Sequence, residues 1–479
     1  MRKTKIVATL GPATDAPGVL LSMVESGLDV ARFNFSHGDH AEKKTRLDNL
    51  KKICEETGST VALLADTMGP EIRLGVFQGG RAELATGGTF VLTTNTVAGD
   101  STRAGISYED LPREVKPGAR ILIDDGLIEL TVESVTGTEI TTRVVNGGII
   151  SDRKSINVPG IKLNMPYISA KDRSDFRFFI ENGFDIIAAS FVRCSEDVVE
   201  IREELSRIDS ENRIKIIAKI ENAEGVRNIN AILSVSDGLM VARGDLGVEM
   251  AYEELPIIQK ELIKKAVSQG KPVITATQML ESMINNPRPT RAETSDVANA
   301  IYDGTSAIML SGETSAGKYP AQALAVMAKI AERIEKDIDY RKRFLQGEHK
   351  AENSITNAIS HATVTTSYVL QTAAILTVTL SGATAQNVAK FRPLCPIIAC
   401  TPNPVVQRQL KLVWGVIPLL TEKETDTTDL FHHAVDAAMS CGYIRKGDLT
   451  VLTAGVPVGH SGTTNMIKVH VVGEKILVS

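Results

Sequence analysis

Residues 214–220, IKIIAKI, form a short apolar and β-branched run that is followed by polar residues and an amphipathic helical stretch. Further runs of this kind lie at 3–10, 29–35, 61–66, 184–191, 238–243, 272–277 and 307–311. Near-continuous apolar strands are typical of parallel sheets, in which helices cover one face and a core fills the other. The pattern predicts an α/β fold, a (β/α)8 TIM barrel with its chemistry at the carboxyl ends of the strands. An open doubly wound sheet is the alternative.

An insertion and the C-terminal region depart from this pattern. Residues 70–167 separate the third run from the fourth and are rich in Thr, Val and Gly, with short alternating stretches and many turn signals. We expect an inserted small β-barrel domain, which lies over the barrel mouth as a lid because it leaves the carboxyl end of a strand. Residues 1–69 and 168–342 then form the catalytic barrel. Residues 343–479 form a C-terminal open α/β domain.

Composition excludes several classes of protein. The 479 residues include 53 Lys and Arg against 58 Asp and Glu, a formal net charge of −5, so no positive field favours nucleic acid or anionic lipid. No apolar run approaches the ~20 residues of a membrane span. The first apolar stretch stops at Gly11-Pro12, too early for a secretory signal peptide. The cysteines are scattered without a C-x-x-C pair, which disfavours disulfides and zinc. We expect a cytoplasmic protein.

Polar side chains cluster at the ends of the predicted barrel strands. They are Arg32, Asn34, Ser36, Asp66, Thr67, Ser190, Lys219, Glu221, Arg243, Asp245, Thr277 and Gln278. In Lys219-Ile220-Glu221 the alternation of a strand projects the lysine and the carboxylate to the same side. Glu221 and Asp245 follow adjacent strands and suit a hard octahedral cation, Mg²⁺ or Mn²⁺. A buried structural ion triad with Lys219 is the alternative.

The expected mouth also gathers positive charge. Arg32, Lys219 and Arg243 lie at strand ends, and Arg73 lies just inside the insertion. Together with a divalent cation they suit a strongly anionic ligand, as phosphoryl transfer requires. A separate oxygen-rich group with one carboxylate suits a weakly charged hard cation, although the same residue types also cap helices. It consists of Asn34, Ser36, Asp66 and Thr67.

Long ordered motifs make the chain resemble the pyruvate kinase family. They are KIVATLGPA at 5–13, RFNFSHG at 32–38, DTMGPEIR at 66–73, KIEN at 219–222, MVARGDLG at 240–247, ITATQML at 274–280 and NNPRPTRAE at 285–293. The resemblance implies a barrel with an inserted β-domain and a C-terminal α/β domain. It also implies transfer of the phosphoryl group of phosphoenolpyruvate to ADP, giving pyruvate and ATP, by a homotetramer.

The resemblance also implies roles for individual residues. The catalytic residues are Lys219, Arg32, Arg73 and Thr277, of which Lys219 neutralises charge on the phosphoryl group in transfer and on the developing enolate oxygen. The substrate-binding residues are Arg32, Ser190, Lys219, Arg243, Gly244, Asp245 and Thr277. Arg73 and Lys154 contact the nucleotide, and Glu221 and Asp245 bind Mg²⁺. The K⁺ ligands are Asn34, Ser36, Asp66 and Thr67. Glu71 stands where K⁺-dependent members carry Glu and K⁺-independent members carry Lys, which predicts activation by K⁺.

Two Gly/Ser/Thr-rich loops suggest a regulatory site in the C-terminal region. TLSGATA at 379–385 follows a strand candidate and opens a helix, and GVPVGHSGTTN at 455–465 could close over it. In the family these positions resemble an allosteric phosphate site, here formed by Ser381, Gly382, Thr384, Gly462 and Thr463. Ala383 and Gln386 replace basic residues of many relatives, which favours a sugar monophosphate or AMP over fructose 1,6-bisphosphate. Two packing loops without a ligand are the alternative.

Two other functions are compatible with parts of the pattern. A Mg²⁺-dependent barrel lyase or aldolase acting on pyruvate or phosphoenolpyruvate would use the same Glu, Asp and Arg residues. It needs neither a nucleotide-covering lid nor Lys219, which argues against it. A catalytically inactive metabolite sensor is disfavoured because every matched catalytic position is intact. We also expect no appended phosphotransfer-like domain of the kind that some bacterial relatives carry.

Overall fold

The computed structural model of the chain describes residues 1–211, 213–347, 354–423, 426–457 and 463–475. In chain order the strands are β1 (Lys5–Thr9), β2 (Val30–Asn34), β3 (Ala62–Asp66), β4 (Ile72–Arg73), β5 (Arg81–Leu84), β6 (Thr89–Thr93), β7 (Arg103–Gly105), β8 (Arg120–Ile123), β9 (Ile128–Val135), β10 (Glu139–Asn146), β11 (Gly148–Ser151), β12 (Ser155–Asn157), β13 (Ile186–Ala189), β14 (Lys215–Ile220), β15 (Gly238–Ala242), β16 (Val273–Ala276), β17 (Ala307–Leu310), β18 (Ala374–Val378), β19 (Ile397–Thr401), β20 (Val416–Leu420), β21 (Leu449–Ala454) and β22 (Met466–Val471).

The helices are α1 (Val19–Glu25), α2 (His40–Thr57), α3 (Leu111–Glu114), α4 (Ala170–Asn182), α5 (Ser195–Ile208), α6 (Ala223–Arg227), α7 (Ile229–Val235), α8 (Arg243–Glu249), α9 (Leu255–Ser268), α10 (Arg291–Asp303), α11 (Gly312–Ser315), α12 (Pro320–Glu335), α13 (Tyr340–Gln346), α14 (Ile355–Leu370), α15 (Ala383–Ala389), α16 (Pro404–Gln409) and α17 (Thr427–Ser440). Among the described residues, no helix combines the length and the apolar character needed to cross a membrane.

Eight parallel strands close the predicted barrel. Their order around it is β1-β17-β16-β15-β14-β13-β3-β2. Inward-facing side chains such as Val7, Leu64 and Met240 form the barrel interior, and outward-facing ones such as Ala8 and Phe33 pack against the helices. Both faces of each strand are therefore buried, which explains the near-continuous apolar runs in the sequence. The barrel is confirmed.

Local signals in the sequence start and stop the barrel helices. The Ser169 hydroxyl accepts a hydrogen bond from the Asp172 N–H, and the Asp172 carboxylate accepts one from the Ser169 N–H, a reciprocal cap at the start of α4. The same helix ends at Gly183, whose φ of 73° is left-handed and favours glycine. Since α4 directly follows the insertion, this cap fixes where the chain re-enters the barrel.

The insertion folds around its own apolar core. Strands β4 to β12, apart from the separate β5–β11 pair, form a seven-stranded sheet in the order β4-β12-β8-β9-β10-β6-β7. An antiparallel bridge between Leu74 and Ile106 joins the two edges of this sheet. The edges meet around a core that contains Phe90, Leu92 and Ile121. Barrel-like closure removes exposed sheet edges, which a small inserted domain would otherwise leave unpaired.

The C-terminal region is an open α/β sheet with the order β20-β19-β18-β21-β22. The first four strands are parallel, and β22 runs antiparallel to β21 at one edge. One face of the sheet packs against α14, α15 and α16, with Val364, Val388 and Val406 in its core. The other packs against α17 through Phe431 and Val435.

The C-terminal region closes the base of the barrel, at the amino ends of its strands. Leu412, in the 3-10 turn after α16, is 2% exposed and joins the same apolar cluster as Val7, Val30 and Ile274 of the barrel interior. Around it, the Arg408 guanidinium lies 2.9 Å from the Asp185 carboxylate. The Lys5 ammonium donates to the Val416 carbonyl at 2.7 Å. One apolar plug with a polar rim therefore joins the two units.

Shortening the plug should destabilise the protein. Leu412→Ala is expected to cost about 2–5 kcal/mol of unfolding free energy, because the apolar side chain is lost and a cavity remains under the barrel. The midpoint of urea unfolding measures the effect. Leu345→Ala is the matched control, since Leu345 is 72% exposed, and should change stability by at most about 0.5 kcal/mol. Equal midpoints for the two variants would show that Leu412 does not fill the base.

Candidate active site

A buried lysine joins three strands at the barrel mouth. Lys219, near the end of β14, places its Nζ 3.0 Å from Asp66 Oδ1, 2.9 Å from Glu221 Oε1 and 2.7 Å from Ser190 Oγ. Asp66 ends β3, and Ser190 follows β13, so neighbouring strand tips converge on one ammonium. The strand alternation that predicted Lys219 and Glu221 on the same side agrees with this contact.

Asp66 is held between two cations. Its Oδ2 accepts from Arg32 Nε at 2.6 Å, and its Oδ1 faces Lys219. Arg32 also donates to Thr9 Oγ1 at 2.8 Å, which ties the guanidinium to the tip of β1. Burial alone would raise the pKa of Asp66, but the charges of Arg32 and Lys219 bring it below its ordinary value. The carboxylate is therefore ionised and fixes both cations in position.

Glu221 is 1% exposed and shares the lysine. Its Oε2 accepts a hydrogen bond from the Phe191 N–H, and its Oε1 contacts Lys219. Burial and the nearby charge of Asp245 raise the pKa of Glu221 to about 8, although Lys219 opposes the shift. Burial would lower the pKa of Lys219, yet Asp66, Glu221 and Asp245 together raise it. Three carboxylates therefore act on one lysine at this point of the site.

Two strand tips carry left-handed backbone at residues other than glycine. Phe191 has a φ of 55°, and Thr277, which is β-branched, has a φ of 68°. Thr277 Oγ1 accepts from the Gly244 N–H at 2.8 Å and donates to the Ala276 carbonyl at 2.6 Å. Such conformations cost of order 1–3 kcal/mol each and persist where surrounding contacts impose them. They place the Phe191 N–H on Glu221 and the Thr277 hydroxyl beside Gly244.

Asp245 lies on a helix instead of a strand end. The chain leaves β15 at Ala242 and enters α8 at Arg243, so Asp245 is in the first turn of that helix. It lines a cleft between the barrel mouth and the insertion together with Glu71, Asp125, Asn222 and Glu249. The described residues contain no cluster of three or more His, Cys, Asp or Glu side chains arranged for a metal. Two protein carboxylates with ligand and water oxygens remain a suitable donor set for Mg²⁺.

Arg243 is fully engaged away from the cleft. Its guanidinium contacts Asp296 at 2.7 Å and donates to the carbonyl of Thr277 at 2.6 Å and of Ala276 at 3.2 Å. These bonds hold the end of β16 and with it the backbone of Thr277. The sequence predicted a substrate contact for Arg243 and did not indicate Asp296, which lies on α10 far along the chain.

The insertion contributes two further cations near the mouth. Arg73 donates twice to Glu71 Oε2, at 2.7 and 3.0 Å, and once to the Arg153 carbonyl at 3.0 Å. Lys154 pairs with Asp124 at 2.8 Å. Both side chains are partly exposed, and both lie on segments that connect the insertion to the barrel or return from it. Neither Glu71 nor Asp124 was predicted as a partner.

The proposed K⁺ ligands lie at the tips of β2 and β3. Asn34 and Asp66 are directly opposite each other in the register of these strands. Asn34 Oδ1 accepts from the Ser36 N–H at 3.0 Å, and Thr67 Oγ1 accepts from the Ser190 N–H at 3.1 Å. Because Asp66 also binds Arg32 and Lys219, this group is continuous with the lysine site, whereas the sequence suggested a separate one.

The predicted regulatory residues are partly described. Gly382, with a φ of 87°, precedes α15, and its N–H donates to Thr379 Oγ1 at 2.9 Å. The hydroxyls of Thr384 and Thr464 lie 2.9 Å apart, which brings the two loops together. Ser381 and Thr463 are in these same loops. Gly462 lies outside the described residues.

Comparisons with known proteins agree with this architecture. The family model for the barrel domain of pyruvate kinase matches residues 1–324, and that for its alpha/beta domain matches residues 357–470. A pyruvate kinase of Geobacillus stearothermophilus is 52% identical over 99% of this chain and 81% of its own length. One from Clostridium acetobutylicum is 48% identical over 98% and 100%.

A solved structure is similar as well. The crystal structure of a pyruvate kinase from Cryptosporidium parvum superposes with a TM-score of 0.92 at 38% identity, covering 98% of this chain and 96% of that one. The matches extend through the barrel and the C-terminal sheet alike. The chain belongs to the pyruvate kinase family and is a phosphotransferase of that type.

Proposed function

We propose that the strand-tip site carries the transfer of a phosphoryl group from phosphoenolpyruvate to ADP, giving pyruvate and ATP. The observation that carries the proposal is the Lys219 ammonium, held at 2.7–3.0 Å by Ser190, Asp66 and Glu221 at the barrel mouth. A fixed buried cation stabilises charge more strongly than a mobile exposed one, because no reorganisation is needed during the reaction. Lys219 neutralises the migrating phosphoryl group and the developing enolate oxygen.

Arg32 and the tip of β16 position the substrate. Arg32 is oriented by Asp66 and Thr9, so its remaining N–H groups can bind the phosphate. The Gly244 and Asp245 backbone and Thr277 hold the carboxylate end of phosphoenolpyruvate, with Ser190 beside Lys219. Arg243 acts through Thr277, whose carbonyl it binds. Preorganised contacts of this kind lower the barrier mainly by positioning the reactants.

Glu221 and Asp245 hold the divalent cation, Mg²⁺ or Mn²⁺. The fit rests on the donor set, since the buried Glu221 carboxylate has one lysine beside it and the Asp245 carboxylate lines the cleft at the barrel mouth. When bound, the cation supplies Lewis-acid polarisation of phosphate and carboxylate oxygens. K⁺ binds at Asn34, Ser36, Asp66 and Thr67. Because residue 71 is a glutamate and supplies no positive charge there, the K⁺ ion supplies it.

The three domains have separate roles. Residues 1–69 and 168–342 are the catalytic barrel, 70–167 the lid and 343–479 the regulatory domain. Arg73 and Lys154 contact ADP from the lid side. Ser381, Gly382, Thr384, Gly462 and Thr463 bind a sugar phosphate or nucleotide effector. The protein acts as a homotetramer in the cytoplasm.

Removing the ammonium tests the central role. Lys219→Met should lower kcat by several orders of magnitude with little change in the KM for phosphoenolpyruvate, because the lost interaction forms mainly in the transition state. Pyruvate release is measured in a coupled assay with and without ADP. Lys5→Met is the matched control, since Lys5 is a similarly buried barrel lysine that begins β1, at the base of the barrel and away from the mouth. It should leave the kcat of the folded enzyme within about threefold. A loss below tenfold for Lys219→Met would make that lysine structural.

Binding of the divalent cation should depend on pH. Because the pKa of Glu221 is raised to about 8, the cation must displace a proton below that pH, and affinity falls as the pH is lowered. We expect Mn²⁺ to bind about 20-fold more weakly at pH 6.5 than at pH 8.5 without substrate. Titration calorimetry measures this. Glu221→Gln should remove the dependence, and Glu249→Gln, which changes a carboxylate of the cleft that Asp245 lines, should keep it. A pH-independent affinity of the wild type contradicts the assignment.

Activation by K⁺ is tested by replacing the ion. Turnover with Mg²⁺ should fall at least about tenfold when K⁺ is exchanged for tetramethylammonium, which is too large for the oxygen ligands. Glu71→Lys should reduce this dependence because it brings a fixed positive charge to the same region. Glu71→Gln, which brings none, should retain it. Unchanged wild-type turnover in tetramethylammonium would refute the K⁺ site.

A further inference from the structure

The peptide group between Ser190 and Phe191 is held from two sides at the barrel mouth. On one side its N–H donates to Glu221 Oε2. On the other side its carbonyl accepts a hydrogen bond from the hydroxyl of Tyr167 at 2.8 Å. Because a peptide group is planar and trans, its N–H and its carbonyl can only turn together. The hydroxyl of Tyr167 therefore helps to determine where the N–H that binds Glu221 points.

This peptide group precedes a residue with left-handed backbone. Phe191 has a φ of 55°, which is unfavourable for a residue other than glycine and persists only where surrounding contacts impose it. Turning the peptide group over would relieve that strain and would carry the N–H away from Glu221. The hydrogen bonds to Glu221 and from Tyr167 both oppose this rotation, so the loss of either one favours the relaxed orientation.

Tyr167 is itself fixed in position. It is the last residue of the insertion, and the Arg193 guanidinium lies over its ring at 5.6 Å from the centroid. The same guanidinium donates to the carbonyls of Leu163 at 3.2 Å and Met165 at 3.1 Å. Asp197 orients it through two bonds of 2.9 and 3.2 Å. The segment by which the chain returns from the insertion is therefore bound to the barrel in one position, and the tyrosine hydroxyl with it.

The outgoing connection of the insertion meets the same carbonyl. Gly69 has a φ of 68°, and a Cβ placed on it would lie 2.8 Å from the Ser190 carbonyl oxygen. Both the backbone conformation and the close approach therefore favour glycine. Ser190 also contacts Lys219 through its hydroxyl at 2.7 Å. Both connections of the insertion thus touch one carbonyl, which belongs to a residue that contacts the buried lysine of the site.

We propose that Tyr167 is a positioning residue of the metal site. Its hydroxyl holds the Ser190–Phe191 peptide group in the orientation that directs the N–H to Glu221, and this fixes the carboxylate that binds the divalent cation. Groups that orient a metal ligand affect metal affinity although they do not contact the metal. This role rests on the proposed function, since it takes Glu221 as a ligand of that cation.

Removing the hydroxyl tests this role. Tyr167→Phe should weaken the binding of Mn²⁺ at pH 8.5 without substrate by about 3- to 10-fold, as expected for one lost neutral hydrogen bond. Titration calorimetry with the metal alone measures the affinity. Equal affinities of Tyr167→Phe and the wild type overturn the assignment.

Tyr368→Phe is the matched control for this experiment. Tyr368 is 9% exposed, against 5% for Tyr167, and its hydroxyl donates to the Arg392 carbonyl at 3.1 Å in the C-terminal region. The variant loses the same kind of bond from a similarly buried ring, but it should bind Mn²⁺ as the wild type does. Equal weakening in both tyrosine variants would also overturn the assignment.

Relieving the strain gives a readout that a merely structural tyrosine would not change. In a Phe191→Gly background the left-handed conformation is no longer unfavourable, so the peptide group keeps its orientation with less support. Adding Tyr167→Phe to this background should weaken Mn²⁺ binding by less than about twofold. An undiminished effect of the lost hydroxyl in the glycine background contradicts the role of the peptide group.

Crystals of the full-length wild-type protein with MnCl₂ provide a test that does not depend on the folding of any variant. Glu221 should bind the Mn²⁺, with the Phe191 N–H on that carboxylate and the Tyr167 hydroxyl on the Ser190 carbonyl. A hydroxyl turned away from that carbonyl in the complex refutes the role of Tyr167 alone. A cation bound without Glu221 refutes the proposed metal site and the role of Tyr167 with it, so the two failures are distinguishable.

Discussion

The carboxylate of Asp66 is the constraint on which the mouth of the barrel depends. One oxygen binds Arg32 and the other binds Lys219, so a single buried anion sets the positions of two cations from different strands. Removing one partner of such a buried group leaves uncompensated charge, which is far more costly than the net contribution of the pair. The strand tips β2, β3 and β14 are therefore held in one arrangement. The substrate meets charges that are already oriented, and the reaction does not have to order them.

Much of this arrangement can be predicted from the sequence. The contacts that cannot be predicted join residues that are far apart in the chain. Uninterrupted apolar runs predicted the eight barrel strands, because both faces of each strand are buried. Alternation within β14 predicted that Lys219 and Glu221 share a side. The sequence placed Asp66 in a separate oxygen-rich group, since nothing local shows that β3 and β14 approach through β13. The pairing of Arg243 with Asp296 was equally hidden, because it joins residues that no local pattern connects.

The left-handed residues mark another limit of sequence analysis. Phe191 and Thr277 are poor candidates for positive φ, and propensity predicts extended backbone for both. Tertiary contacts impose the conformation: the Glu221 carboxylate binds the N–H of Phe191, and Arg243 binds the carbonyl of Thr277. Strain of this kind at strand tips is supported by the packed barrel below. The two residues whose backbone conformation departs from their propensity therefore both lie at the candidate active site.

The Leu412 plug has a consequence for modularity. The barrel floor is completed by a side chain from a region about 400 residues away from the first strand, so the two units are not interchangeable parts. A recombinant that joined this barrel to the C-terminal half of a distant relative would inherit a mismatched floor unless the turn after α16 were exchanged together with the strands it touches. Functional chimaeras are therefore expected only at crossover points that transfer Leu412 together with the barrel residues it contacts.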